Sequence, residues 1–107
     1  MINNFFVRAY PENNQLRIVL DGYFMPSEME LALQLARYES DKLQSGFSVI
    51  IDTRNLRTSF DEKELYVKKI KKILTVLGCG NLKFAGRKYA FRQSLYENVG
   101  FYSIENE

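Results

Sequence analysis

Histidine is absent from this 107-residue chain. The commonest general base is therefore missing, and Ser-His or Cys-His nucleophile pairs cannot form within one chain. Cys79 is the only cysteine, which excludes an intramolecular disulfide and fits a reducing, cytoplasmic setting. Cys79 also has no second cysteine or histidine at metal-ligand spacing, so it reads as a small loop or core filler between Gly78 and Gly80. No GxGxxG and no GxxxxGK[ST] occurs, so the usual Gly-rich phosphate cradles are missing. Nowhere do about 18 uninterrupted apolar residues occur, and the N-terminal MINNFFVRAYPENN has no basic region leading into a long apolar run. The expectation is a chain with neither secretion signal nor membrane insertion. Tryptophan is lacking too, so seven Tyr and eight Phe must supply the large rings of the core.

What is present suits one core. A compact domain spans about 100 to 150 residues, so residues 1–107 form a single domain. Hydrophobic residues make up 46% and charged residues 26%, near the average for a globular chain and far from disorder. The net charge of +2 leaves no nucleic-acid or membrane footprint in the overall balance.

Phe5, Val7 and Ala9 alternate with Phe6, Arg8 and Tyr10, and Leu16, Ile18 and Leu20 resume the alternation after Pro11-Glu12-Asn13-Asn14. That pattern predicts a β-hairpin. Ser27 with Glu30 reads as a capping box opening a helix that runs to about Leu43. Its buried stripe is expected at Ala32, Leu35, Ala36 and Leu43, with Gly46 as a left-handed stop. The near-continuous apolar run Phe47 to Asp52 suits a central strand covered on both faces. Ser59 and Glu62 offer a second capping box, followed by Leu65, Tyr66, Ile70, Ile73, Leu74 and Leu77 at helical spacing up to Gly78-Cys79-Gly80. A fourth strand is predicted over 81–88, and Phe91, Leu95 and Val99 predict a third helix stopped by Gly100.

The order β-β-α-β-α-β-α predicts an α/β domain with a mixed four-stranded sheet, an N-terminal hairpin and then parallel βαβ units. A ferredoxin-like βαββαβ order fits poorly, because the paired strands precede the first helix.

These residues resemble the STAS domains, including the SpoIIAA-like anti-sigma factor antagonists of bacteria. The counterparts are LRIVLDG (Leu16 to Gly22), the helix from Ser27, FSVIID (Phe47 to Asp52) followed by TRNLRTSF, the break Gly78 to Gly80, the strand Leu82 to Arg87, and Gly100-Phe101. The resemblance spans nearly the whole chain as a pattern of element order and apolar positions. It implies a non-catalytic regulatory or protein-interaction module in a partner-switching pathway, with an anti-sigma-factor-like kinase or other regulator as partner. The antagonists carry a phosphorylatable Asp-Ser-Ser/Thr-Gly stretch, whereas this chain has Ser59-Phe60-Asp61-Glu62-Lys63 at the corresponding place. The family also continues with a further strand and helix, while here only Tyr102 to Glu107 follow, enough for a short edge segment. An edge or apolar patch left open in this way favours a protein partner or a homodimer.

The candidate partner-binding residues are Asp52, Arg54, Asn55, Thr58, Ser59, Asp61 and Glu62. The first three lie beyond the carboxyl end of a strand, where open α/β sheets bind ligands. They also suit a loop that satisfies its own backbone through Asp and Asn side chains. Asp61, Glu62 and Glu64 could mimic a phosphorylated hydroxyl, or simply complement a helix dipole, which is worth about 0.3–1 kcal/mol. Lys63, Lys68, Lys69, Lys71 and Lys72, with Arg87, Lys88 and Arg92, offer a basic surface for an acidic partner, a phosphate-bearing ligand or nucleic acid. Long lysine stems flanking an apolar stripe explain the same pattern, and no aromatic signature interleaves with them. No nucleic-acid partner, cofactor or metal is therefore expected. The alternatives are a small-molecule or lipid-binding domain of the same fold, and, last, a catalytic domain using carboxylates alone.

Overall fold

The computed structural model describes residues 5–57, 60–85 and 100–102. Its elements are β1 (Phe5–Tyr10), a 3-10 turn (Pro11–Asn13), β2 (Gln15–Leu20), α1 (Pro26–Ser40), β3 (Ser48–Asp52), α2 (Phe60–Val76), β4 (Asn81–Ala85) and β5 (Gly100–Tyr102). The strands form one sheet in the order β1-β2-β3-β4-β5. β1 and β2 are antiparallel, and every later pair is parallel. The hairpin, the parallel units and the central place of β3 match the expectation. A short fifth strand extends the predicted four-stranded sheet: Gly100, expected as a helix stop, pairs with Lys83 instead. The third helix predicted around Phe91, Leu95 and Val99 lies outside the described residues.

The hairpin turns at Asn14, whose φ of 48° suits a residue that tolerates the left-handed region. Its side chain accepts the Gln44 N–H at 2.8 Å and donates to the Gln44 carbonyl at 3.3 Å, while its own carbonyl accepts the Ser48 N–H at 3.1 Å. One residue thus ties the hairpin turn to the entry of β3.

α1 begins two residues from where Ser27 and Glu30 would place its box. Pro26 takes the first helical position, where a missing N–H costs nothing, and Glu28 Oε1 accepts the Met25 N–H at 2.9 Å. The helix ends at Ser40, so Gly46 does not cap it. Gly46, at φ 86°, turns the chain into β3 instead. α2 ends in a Schellman motif: the Gly78 N–H donates to Thr75 and the Cys79 N–H to Leu74, with Gly78 at φ 97°.

Alternation along the strands puts Phe5, Ala9, Leu16, Ile18, Leu20, Val49, Ile51, Leu82 and Phe84 on one face. Against it pack Met29, Ala32 and Ala36 of α1 and Tyr66, Val67, Ile70 and Leu74 of α2. Two expected core residues are corrected. Leu35 is 39% exposed and Leu65 is 53% exposed. Each lies outside the arc its helix turns to the sheet, and Met29 and Val67 hold the buried places. On the other face, Ile50 and Ala85 form a separate small buried pair.

Glu39, buried at the end of α1, closes the outer edge of β1. Its Oε1 accepts the Ala9 N–H at 2.8 Å, and its Oε2 meets Lys42 Nζ at 2.7 Å. An edge strand presents unpaired donors, and this carboxylate occupies one. The hydrogen bond from Lys42, then that from Ala9, lowers the Glu39 pKa from its ordinary value of 4.5. A depressed carboxylate stabilises the fold fully above its unfolded pKa, and that contribution is lost as pH falls through the folded pKa. Glu39→Gln is expected to cost about 1–2 kcal/mol at pH 7. Urea denaturation should show this gap between wild type and variant narrowing steadily below about pH 4.5. A gap that stays constant down to pH 3 would contradict the assignment.

Candidate functional site

The carboxyl ends of β2 and β3 are stitched together beyond the sheet proper. Gly22, at φ 55°, forms an isolated parallel bridge with Leu56. Its N–H donates to the Asn55 carbonyl at 2.9 Å, and its carbonyl accepts the Arg57 N–H at 2.7 Å. The Leu56 N–H donates to Thr53, closing a tight turn, and the Thr53 N–H reaches Ala85 of β4. Backbone hydrogen bonds therefore hold the loop after β3 on both sides.

Asp52, only 6% exposed, is committed inside this loop. Its Oδ1 accepts the Arg54 backbone N–H at 3.1 Å, while Arg54 Nε donates to Oδ1 at 3.1 Å and Nη2 to Oδ2 at 2.9 Å. The loop satisfies its own polar groups, as one of the two sequence readings expects. Asp52 is a brace for the turn, and Arg54 is the brace's exposed side.

The stitched loops enclose a shallow, open depression lined by Asp21, Gly22, Tyr23, Asn55 and Arg57. Of the sequence candidates only Asn55 lines it. Asp61 and Glu62 are exposed in the first turn of α2, and Thr58 and Ser59 lie outside the described residues. Asp21, Tyr23 and Arg57 were not among the candidates. The rule that ligands gather beyond strand carboxyl ends applies to β2 as well as β3, and would have reached Asp21 and Tyr23. Asp21 Oδ1 is shielded from solvent and has no hydrogen-bond partner among the described residues, while Tyr23 stands 68% exposed. The depression thus offers one carboxylate, one amide, one guanidinium and one phenol on a fixed backbone, a set suited to hydrogen-bonded recognition.

Next to Tyr23 in the chain, the Phe24 carbonyl accepts the Tyr66 hydroxyl at 3.1 Å, and that hydroxyl lies 3.5 Å from Glu62 Oε2. Burial, followed by the charge of Glu62, raises the Tyr66 pKa, so the phenol stays protonated and keeps donating. At the opposite end of the sheet, burial also raises the Cys79 pKa, and its thiol donates to the Asn81 carbonyl at 3.2 Å. A protonated, half-buried thiol is a poor nucleophile, and Cys79 packs against the core. Among the described residues no group of three or more His, Cys, Asp or Glu is placed to hold a metal ion, and no helix is long and apolar enough to cross a membrane. No protein-family model matches the chain, and no curated protein matches it significantly.

Proposed function

We propose that the domain is a non-catalytic, STAS-like regulatory module that binds a protein partner at the carboxyl ends of β2 and β3 and the first turn of α2. The observation that carries this reading is the contrast between a pinned backbone and outward side chains. The Gly22–Leu56 bridge and the Asp52–Arg54 brace hold the loops, while Tyr23, Asn55 and Arg57 of the depression and Asp61 and Glu62 of α2 are exposed. Preordered loops lose little freedom on association, and an exposed Tyr beside Arg is the composition enriched where binding energy concentrates. Asp61 and Glu62 supply negative charge where the STAS resemblance would place a phosphorylated hydroxyl, which fits a module held in one binding state. A partner-switching pathway with a kinase-like regulator is the setting this reading favours.

The test is affinity capture from host extract, followed by direct titration of the purified partner against wild type, Tyr23→Ala and Arg57→Ala. The partner should bind wild type and lose at least tenfold in affinity to each variant, with melting temperatures unchanged because both side chains are exposed. A partner that binds the variants as tightly as wild type would place the contact elsewhere and sink the proposal.

A further inference from the structure

The sheet face turned away from α1 and α2 carries a row of cationic residues that, among the described residues, forms no salt bridge. The registers Arg8↔Arg17, Arg17↔Ile50 and Ile50↔Lys83 set three cationic residues in one row across β1 to β4. Alternation puts all three on the face opposite Leu16, Ile18, Val49 and Ile51. Like charges directly opposite one another on neighbouring strands repel, and Arg8 and Arg17 stand in that relation. Among the described strand residues of this face Asp52 is the one carboxylate, and Arg54 holds it. Glu39, which feels Arg8 through space from beyond the edge of β1, is itself held by Lys42 and the Ala9 N–H.

Two further observations point to an anion as the ligand of this row. Arg17 Nε is shielded from solvent with no acceptor among the described residues, a state that costs free energy. The exposed Arg8 lays its guanidinium over the Tyr10 ring, 5.6 Å from the centroid, which orients the group while leaving its N–H edge for an acceptor. Phe6, two residues along β1 on the same face, is 43% exposed. Guanidinium forks match phosphate oxygens, and an exposed aromatic ring is a stacking platform for a planar base.

We propose that Arg8 and Arg17 bind the phosphate of a free nucleotide, with Lys83 completing the row and Phe6 receiving the base. The phosphate relieves the repulsion between the arginines by accepting from their terminal guanidinium N–H groups. Recognition is by side chains on a sheet, so it needs none of the Gly-rich cradles that the sequence lacks. This surface is separate from the depression proposed for a protein partner.

Calorimetric titration of the full chain with ATP and with inorganic phosphate tests the proposal. ATP should bind more tightly than phosphate and more weakly as salt is added. Arg8→Ala and Arg17→Thr should each weaken ATP at least tenfold, while Phe6→Ala should weaken ATP and leave phosphate unchanged. Arg17→Thr, which keeps a strand-favouring residue, should hold or raise the melting temperature because the like-charged pair is gone. No ATP binding at millimolar concentration overturns the proposal, as does ATP binding no tighter than phosphate. Arg8 is exposed, so an ATP affinity unchanged by Arg8→Ala overturns it whether or not Arg17→Thr folds.

Discussion

Phe24→Ala is expected to destabilise the domain by about 3–5 kcal/mol, the range for truncating a fully buried ring. Phe24 is completely buried although it sits in the connection between β2 and α1. Its ring meets Phe5 edge-on at 5.9 Å and Tyr66 edge-on at 5.1 Å. It thereby joins the first strand, the β2–α1 connection and α2 in one aromatic cluster. Each edge-to-face pair is worth about 0.5–1.5 kcal/mol beyond the area it buries, so the alanine loses two pairs and leaves a cavity. Phe24→Leu keeps most of the apolar volume and should cost clearly less. Tyr66→Phe removes only the hydroxyl that donates to the Phe24 carbonyl, and should cost about 0.5–1.5 kcal/mol. Urea unfolding followed by tyrosine emission, usable because the chain has no tryptophan, should place the midpoints in the order wild type, Tyr66→Phe, Phe24→Leu, Phe24→Ala. Phe24 directly follows Tyr23 of the depression, so the alanine variant should weaken partner binding in parallel. If Phe24→Ala cost no more than Tyr66→Phe, the aromatic cluster would not be the anchor argued here.

The parts of this fold that were legible in the sequence are those set by local periodicity. Period-two alternation located both hairpin strands, and the β-branched run Val49-Ile50-Ile51 located the central one. Helical spacing located both described helices and most of the arc each buries, but misplaced Leu35 and Leu65. Leu31, Leu35 and Tyr38 form a second row on α1 that is exposed, and spacing alone cannot choose between two apolar rows. Glu39 was passed over because an acid near a helix end reads as surface, whereas its burial depends on the Ala9 N–H, thirty residues away in sequence. The site was half legible for the same reason. Asp52 and Arg54 pair locally, and the self-satisfying loop could be read from their spacing. The depression requires Gly22 to bridge Leu56, a contact between the separate loops after β2 and β3 that no local pattern encodes. The cationic row on the far face follows from strand register, since Arg8, Arg17 and Lys83 adjoin only once the strands are aligned.

Register also explains why two neighbouring glycines should respond differently to substitution. The loops entering β3 and β4 run side by side: the Gly46 N–H donates to the Gly78 carbonyl at 2.8 Å, and the Gly80 N–H to the Phe47 carbonyl at 2.9 Å. A Cβ on Gly80 would lie 2.7 Å from the Gly46 carbonyl oxygen and 3.0 Å from both its Cα and carbonyl carbon. All three obstacles are backbone atoms, so no flexible side chain can swing aside, and residue 46 already has no side chain to trim. The loops must separate, straining the bonds that align β3 with β4, and Gly80→Ala should cost about 2–3 kcal/mol or more. Gly46 presents the opposite case. A Cβ there meets nothing within 4 Å, but φ is 86°, so Gly46→Ala pays only the left-handed penalty of about 1–2 kcal/mol. Paired denaturation curves should therefore rank Gly80→Ala below Gly46→Ala in stability, and only Gly80→Ala should speed hydrogen exchange at the Gly46 and Gly80 amides. The reverse order would mean that backbone conformation, and not the close approach of the two loops, governs this end of the sheet.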